Sequence, residues 1–413
     1  MSAVAIGTIV AKNFVPFARV LARSVREHHP TVPFFAVLAD RPDPVFASGS
    51  EPFETVLLDE LAIPDLQRLA FGYTRQQVAI AAKPYLLRHL LDRGFATAIF
   101  IDADIVVLDS LQPLFDRSAA HAITLTPHLL APLSGADRCA RELNILQSGV
   151  YNGGFVGVSE REPARQFLRW WADRLQTHCR HHVPEGMHYD QRWLDLVPTL
   201  FEDVHIVGDE GCNVAHWNLP ERGPTLAPHD GRARDRRCRF FHFSGFEPER
   251  PGIVTRYSNR LAMESIGPAA GLFARYVELL RAEGYFACRD WAYAFGAFDN
   301  GVPIPDVARR LYLDMGAAVD QFGDPFEVSG SDSYFRWLNE PAEGTSASSG
   351  WLTRLWNGVY HGRLDLQEAF PDVFGADNGA FRQWVAGSGM REHDIAAAFA
   401  PLDVADARRV DTC

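Results

Sequence analysis

The sequence predicts an α/β fold, a mixed and mostly parallel sheet flanked by helices, followed by a smaller, mainly helical C-terminal domain. Three observations carry this. Apolar runs with little polar alternation at residues 3–10, 32–39 and 54–58 fit strands buried on both faces. A helical pattern separates the first two, and strand–helix–strand order implies parallel strands with right-handed crossovers. From about Phe286 onward that alternation stops, leaving helix-like pieces at 303–321, 351–361, 378–386 and 391–399. At 413 residues the chain exceeds one typical core, and a boundary near 285 divides it into residues 1–285 and 286–413.

Taken in order, residues 3–10 form the first strand, and Ala11-Lys12-Asn13 is a polar break. Phe14, Phe17, Leu21 and Val25 then recur at helical spacing, in a helix that ends before Pro30. Gln76 to Leu91 is helical in pattern but contains Lys83-Pro84. Proline suits a first helical turn, so a new helix starts there or the helix kinks. The central stretch is Ala96 to Leu108, where an apolar run is interrupted by Asp102 and Asp104 and then resumes as Ile-Val-Val-Leu. Residues 147–158 are a glycine-rich turn in a strand pattern, where glycines mark close backbone approach. Amphipathic helices follow at 163–177 and 189–197, a loop at 219–238, a short aromatic strand at 240–246 and a helix at 269–282.

Composition excludes several classes. A formal charge of −12 argues against a nucleic-acid partner. No apolar run reaches the roughly 18 residues that span a bilayer, and the first residues read as a strand rather than a signal peptide. Six scattered cysteines, with no Cys-x-x-Cys pair, fit neither a disulfide framework nor structural zinc, and a cytoplasmic location is expected.

Two ionised carboxylates inside an apolar run need compensation, because an unpaired buried charge costs several kcal/mol or more. Asp102 and Asp104 therefore belong at a strand end beside a partner, and a divalent cation suits two hard oxygens. Such a site with open positions suits Mg²⁺ or Mn²⁺ bridging phosphates, whereas a bare Asp-x-Asp is otherwise a turn cap plus a surface ion pair. His242, between Phe241 and Phe243, is a ligand of the right type or a core histidine, and Gly245 leaves room for a phosphate. Asp190 with Gln191 opens a helix, as an N-cap or as a pair facing sugar hydroxyls. Lys83 at a helix start can meet an anion or lie solvated. The histidine-rich patch around His178, Cys179, His181, His182 and His188 matches no zinc spacing and reads as a polar loop. The arginines between 232 and 239 read as a solvated loop, with anionic lipid or phosphate contact as the alternative.

Residues Ala11 to Val25, Phe100-Ile-Asp-Ala-Asp-Ile-Val-Val-Leu, Tyr151-Asn-Gly-Gly, Asp190-Gln191 and His242-Phe-Ser-Gly245 stand in the order that the family 8 glycosyltransferases show. The resemblance spans roughly residues 1–260. It implies a GT-A-like fold and a metal-dependent, retaining enzyme with a nucleotide-sugar donor, a UDP-sugar above all. By that resemblance Asp102, Asp104 and His242 hold Mn²⁺ (or Mg²⁺) against the diphosphate. Asn13, with the backbone around Thr8 and Ala11, meets the base, and Lys83 approaches the ribose or phosphate. Asn152, Asp190 and Gln191 line the sugar side, facing a glycan, lipid-linked or protein acceptor. The family's ending carries a lysine after the glycine; here Phe246-Glu-Pro-Glu-Arg-Pro has none, and Arg250 or the arginine run is the substitute. An aspartate-nucleophile phosphohydrolase and a non-catalytic sugar-nucleotide or glycan-binding protein are the rival readings.

Overall fold

The computed structural model describes residues 3–46, 48–226, 237–345 and 350–401. Two compact units emerge: residues 1–64 with 75–293, and residues 65–74 with the chain from Ala294 on.

The first unit is built on a seven-stranded sheet of order β10-β6-β7-β4-β1-β2-β3. Its strands are β1 (Val4–Val10), β2 (Phe34–Leu38), β3 (Glu54–Leu57), β4 (Thr97–Ile101), β6 (Ile123–Pro127), β7 (Tyr151–Ser159) and β10 (Val204–Ile206). β1 pairs in parallel with β2 and β4, β2 with β3, and β10 with β6. Only β7 runs against its neighbours, β4 and β6. Every residue of β2 and β4 is buried, as unbroken apolar runs require when helices cover both faces. The mixed, mostly parallel sheet and the helical C-terminal region agree with the expected fold class.

The Ala96–Leu108 run is two strands rather than one. β4 ends at Ile101, residues 102–104 turn, and β5 (Ile105–Val107) leaves the main sheet. It joins β11 (Val214–Ala215) and β12 (Phe240–His242) in a separate ribbon of order β11-β12-β5. A two-residue hairpin, β8 (His181–His182) with β9 (Met187–His188), occupies the histidine-rich patch.

Helices α1 (Val15–His28), α2 (Leu66–Gly72), α3 (Arg75–Ala81) and α4 (Lys83–Asp92) precede the acid pair. After it come α5 (Gln112–Ala120), α6 (Arg138–Ser148), α7 (Glu162–Thr177) and α8 (Gln191–Leu194). Lys83-Pro84 resolves as a new helix: α3 stops at Ala81 and α4 opens with proline in its first turn. The helix expected over 189–197 is two single turns, α8 and Val197–Leu200, since Pro198 restarts the chain. A helix at Ala269–Ala282 packs Phe273 and Tyr276 against Phe243.

The second unit is helical, with helices at Asp306–Asp314, Tyr334–Asn339, Arg354–His361, Leu364–Ala369 and Asn378–Trp384. Over 391–399 there is no continuous helix, only Met390–Glu392 and a single turn at Ala397–Phe399. α2 belongs to this unit. Its Phe71 is fully buried among Tyr312, Phe326 and Tyr334, with ring centroids 4.7, 5.1 and 5.4 Å away. Buried Arg309 donates to the carbonyls of Phe71 (2.6 Å) and Tyr73 (2.9 Å), satisfying the C-terminal end of α2. Such capping explains how a guanidinium comes to be 5% exposed. No helix among the described residues is long and apolar enough to cross a membrane.

Candidate functional site

Because β1, β2 and β4 are parallel, Ala11, Asp40 and Asp102 follow their strands at one edge of the sheet. In open α/β sheets ligands bind at that carboxyl edge. Antiparallel β7 starts from the same edge, so Asn152, Gly153 and Gly154 lie beside the end of β4; the Asp102 N–H donates to the Gly154 carbonyl at 2.9 Å.

The ribbon supplies the third ligand type. Register sets His242 opposite Ile105, and the Phe243 N–H donates to the Asp104 carbonyl at 2.9 Å. His242 Nε2 thereby reaches Asp104 Oδ1 at 3.1 Å and Asp102 Oδ2 at 4.0 Å. One ligand atom from each of the three lies within 4.8 Å of the others, the one such group among the described residues. His242 is buried, while both carboxylates are part exposed, so the cluster opens on one side. Two carboxylates and an imidazole suit Mn²⁺ or Mg²⁺ chemically, and the open side leaves room for further oxygen ligands.

Electrostatics in the cluster are opposed rather than uniform. Burial pushes Asp102 up, against the pull of Lys83. Burial acts on Asp104 too, but the charge and hydrogen bond of His242 outweigh it and hold Asp104 below the carboxylate range. His242 is correspondingly raised, its burial overcome by Asp104 and Asp102. Two like charges this close favour binding a cation between them.

Lys83 lies inside the protein. Its Nζ donates to Asp190 Oδ2 and to the Gly153 carbonyl, both at 2.9 Å, and sits 3.5 Å from Asp102 Oδ1. Burial would lower this ammonium, but Asp102 and Asp190 raise it. The lysine therefore links the acid pair to Asp190. Asp190 occupies the N-cap position of α8 yet makes no capping bond, because its carboxylate faces Lys83.

The paired glycines of Tyr151-Asn-Gly-Gly make room for the site's own side chains. A Cβ on Gly153 would stand 2.5 Å from Asp190 Oδ2, and one on Gly154 would stand 2.6 Å from His242 Cε1. Asn152 is buried between them. Its Nδ2 donates to Gln191 Oε1 (2.7 Å) and to His128 Nε2 (3.1 Å), and its Oδ1 accepts from Asn213 Nδ2 (3.0 Å). Gln191 Oε1 also accepts from the Gly153 N–H at 3.1 Å.

At the other end of the edge, Thr8 Oγ1 and Asn13 Oδ1 are buried without a protein partner. Each is an acceptor or hydroxyl that the protein leaves open, which costs free energy unless something else fills it. Ala11 is buried and its carbonyl accepts from the Phe14 N–H at 2.9 Å. Gly245 has φ +70° and lies against Tyr257 and Thr255, where a Cβ would stand 2.5 Å from the Tyr257 ring. Arg250 is exposed and 3.2 Å from Glu247; Arg256 donates its backbone N–H to the Gly245 carbonyl at 2.9 Å. Arginines 232, 234 and 236 lie outside the described residues.

Sequence reasoning missed Lys12, His128 and Asn213. Lys12 is 3% exposed, pairing with Asp43 and lying 3.9 Å from Asp40. The strand-end setting of Lys12 was a readable signal, but nothing local marks His128 or Asn213. Burial pushes His128 down to about 3, and its neutral Nε2 accepts from Asn152. Burial pushes His188 and His216 down to about 4. These imidazoles take up protons when unfolded near pH 6.5 but not when folded, so stability rises with pH and is lost on acidification below 6.5. Each contributes a slope of about 1.4 kcal/mol per pH unit down to its folded value. Urea midpoints of wild type and His128→Gln at pH 7 and pH 5 check this: the variant should show a shallower pH dependence.

Residues 56–197 match a family model described as nucleotide-diphospho-sugar transferase. Two uncharacterized proteins of Bacillus subtilis (strain 168) are similar to this chain. YfnF is 24% identical over 249 residues, 58% of this chain and 80% of YfnF. YfnD is 25% identical over 257 residues, 60% of this chain and 79% of YfnD. Among solved structures, galactosyltransferase LgtC in complex with donor and acceptor sugar analogs has a TM-score of 0.42 at 15% identity, over 67% of this chain and 95% of its own. Glycosyltransferase GlyE of Streptococcus pneumoniae TIGR4 has a TM-score of 0.39 at 11% identity, over 71% of this chain and 67% of its own. The matched residues 56–197 include Lys83, Asp102, Asp104, Asn152, Asp190 and Gln191, and over that stretch this chain is similar to the nucleotide-diphospho-sugar transferase family.

Proposed function

We propose that this protein is a metal-dependent, retaining glycosyltransferase that moves a hexosyl group from a nucleoside-diphosphate sugar, a UDP-sugar first, to a glycan or other acceptor. The observation that carries this reading is the Asp102–Asp104–His242 cluster joined through Lys83 to Asp190, in a chain similar over residues 56–197 to the nucleotide-diphospho-sugar transferase family. Bound there, Mn²⁺ or Mg²⁺ supplies positive charge that stabilises the negative charge developing on the departing diphosphate. Thr8 and Asn13 supply the open polar atoms that a base and ribose would occupy. Asp190 offers a fixed carboxylate for the cationic sugar of the transition state, held in place by Lys83. Asn152 and Gln191, locked to each other at 2.7 Å, orient hydroxyls on the sugar side. Residues 286–413 serve as an accessory domain.

Thermal-shift measurements with a panel of nucleotide sugars, with and without Mn²⁺, test the reading. A UDP-sugar should raise the melting temperature by several degrees only when Mn²⁺ is present, because a ligand at 100 times its Kd adds about 2.7 kcal/mol. No shift with any nucleotide sugar overturns the proposal. The anomeric configuration of the transferred sugar, read by NMR, decides between retention and inversion.

A further inference from the structure

Asn213 is fully buried, outside every motif, and holds a left-handed backbone at φ +57°. An asparagine tolerates that conformation better than most side chains, yet the whole amide is also used. Its Oδ1 lies 3.1 Å from His242 Nδ1, and its Nδ2 donates to Asn152 Oδ1 at 3.0 Å and to Thr126 Oγ1 at 3.1 Å. The amide orientation follows from this set, since Asn152 Oδ1 also accepts from the Gly154 N–H at 3.0 Å and so needs a donor from Asn213. The atom left facing His242 is then an acceptor, and Nδ1 of the imidazole must carry the proton.

We propose that Asn213 is a positioning residue: by accepting the Nδ1 proton of His242 it leaves Nε2 as the nitrogen that faces a divalent cation beside Asp104, and it ties that imidazole to Asn152. The proposal rests on the reading of Asp102, Asp104 and His242 as metal ligands. A histidine with two equivalent choices of proton position presents its lone pair to the cation only part of the time, and a fixed partner on the other nitrogen removes that cost. Trp217 and Gly154 hold the ring from other sides: the indole stands edge-on at 5.4 Å, and Gly154 leaves the ring no Cβ to avoid. Those contacts fix the ring plane, while Asn213 meets Nδ1 and the carboxylates of Asp104 and Asp102 stand at Nε2. The same amide touches Asn152, which bonds Gln191, so one side chain spans the metal-facing and the sugar-facing groups.

The test uses the full chain with Mn²⁺ alone, read by calorimetry and by the ¹⁴N modulation of bound Mn²⁺ in pulsed electron paramagnetic resonance. Asn213→Gly keeps the left-handed backbone and removes the acceptor. It should weaken Mn²⁺ binding about 10- to 100-fold and lose the ¹⁴N modulation. Asn213→Asp keeps an acceptor for Nδ1–H but loses both donors. It should hold Mn²⁺ within a few-fold of wild type with the modulation intact, while losing the bond to Asn152. Unchanged affinity and modulation in Asn213→Gly overturns the proposal, as does equal loss in both variants. Wild-type protein with Mg²⁺ supplies a measurement independent of any variant's folding. There the ¹⁵N spectrum of His242, assigned by difference from His242→Gln, should show Nδ1 protonated; a proton on Nε2 overturns the proposal. Wild type that binds no Mn²⁺ marks failure of the metal-site reading itself, a result separate from any difference among the Asn213 variants.

Discussion

Lys83→Met should destabilise the first unit by about 3–5 kcal/mol, the largest stability change expected of any single substitution in this site. The ammonium is 4% exposed and touches two carboxylates, Asp190 at 2.9 Å and Asp102 at 3.5 Å. Methionine fills most of the lysine's volume, so the loss reflects charge rather than a cavity. Asp190 is itself 4% exposed and would be left as a buried anion without its ammonium partner. Removing one member of a buried ion pair costs more than removing both, which provides the check. Lys83→Met combined with Asp190→Asn should recover much of the stability in urea unfolding, since the amide needs no counter-charge. If the single and double variants unfold at the same denaturant concentration, the pair does not carry the stability assigned to it. Activity should vanish in both, because Asp190 loses its partner in one and its charge in the other.

Asp104→Ala has the opposite profile: a stable protein that has lost its ligand. Asp104 is part exposed and lies beside Asp102, so its removal relieves repulsion between like charges even as it breaks the 3.1 Å contact with His242. These terms oppose each other, and the melting temperature without ligand should move little. The stabilisation by UDP with Mn²⁺ should disappear, a loss of about 2.7 kcal/mol at 100 times the wild-type Kd. Calorimetry makes the same comparison directly. Undiminished affinity for UDP with Mn²⁺ in Asp104→Ala would remove this carboxylate from the ligand set.

Much of the fold is legible in the chain because burial writes itself locally. The fully buried β2 and β4 read as apolar runs, α1 shows a helical stripe, and Pro84 marks the start of α4. Asp102 and Asp104 announce themselves for the same reason: they interrupt a run that is otherwise core. The split of that run was not legible. Ile105–Val107 looks like more of β4, and only its pairing with Phe240–His242 shows that it belongs to another sheet. Nor was the membership of α2 legible, since Leu66–Gly72 sits amid strands and helices of the first unit but buries Phe71 among rings that follow Ala294.

By itself the sequence determined several buried strands and long helices of the first unit, the acid pair at a strand end, and the ordered set of polar residues that resembles a sugar-nucleotide site. Tertiary structure decided what each of those residues touches. Lys83, readable as a cation for a ligand, is enclosed by Asp190 from 107 residues away, and His242 is turned by an asparagine that no motif marks. The reason is physical. Apolar periodicity is a local consequence of which face is buried, so it survives in one dimension. Strand pairing uses backbone groups that are alike at every residue, and a buried charge accepts whichever partner the packing brings, so those choices exist only once the chain has folded.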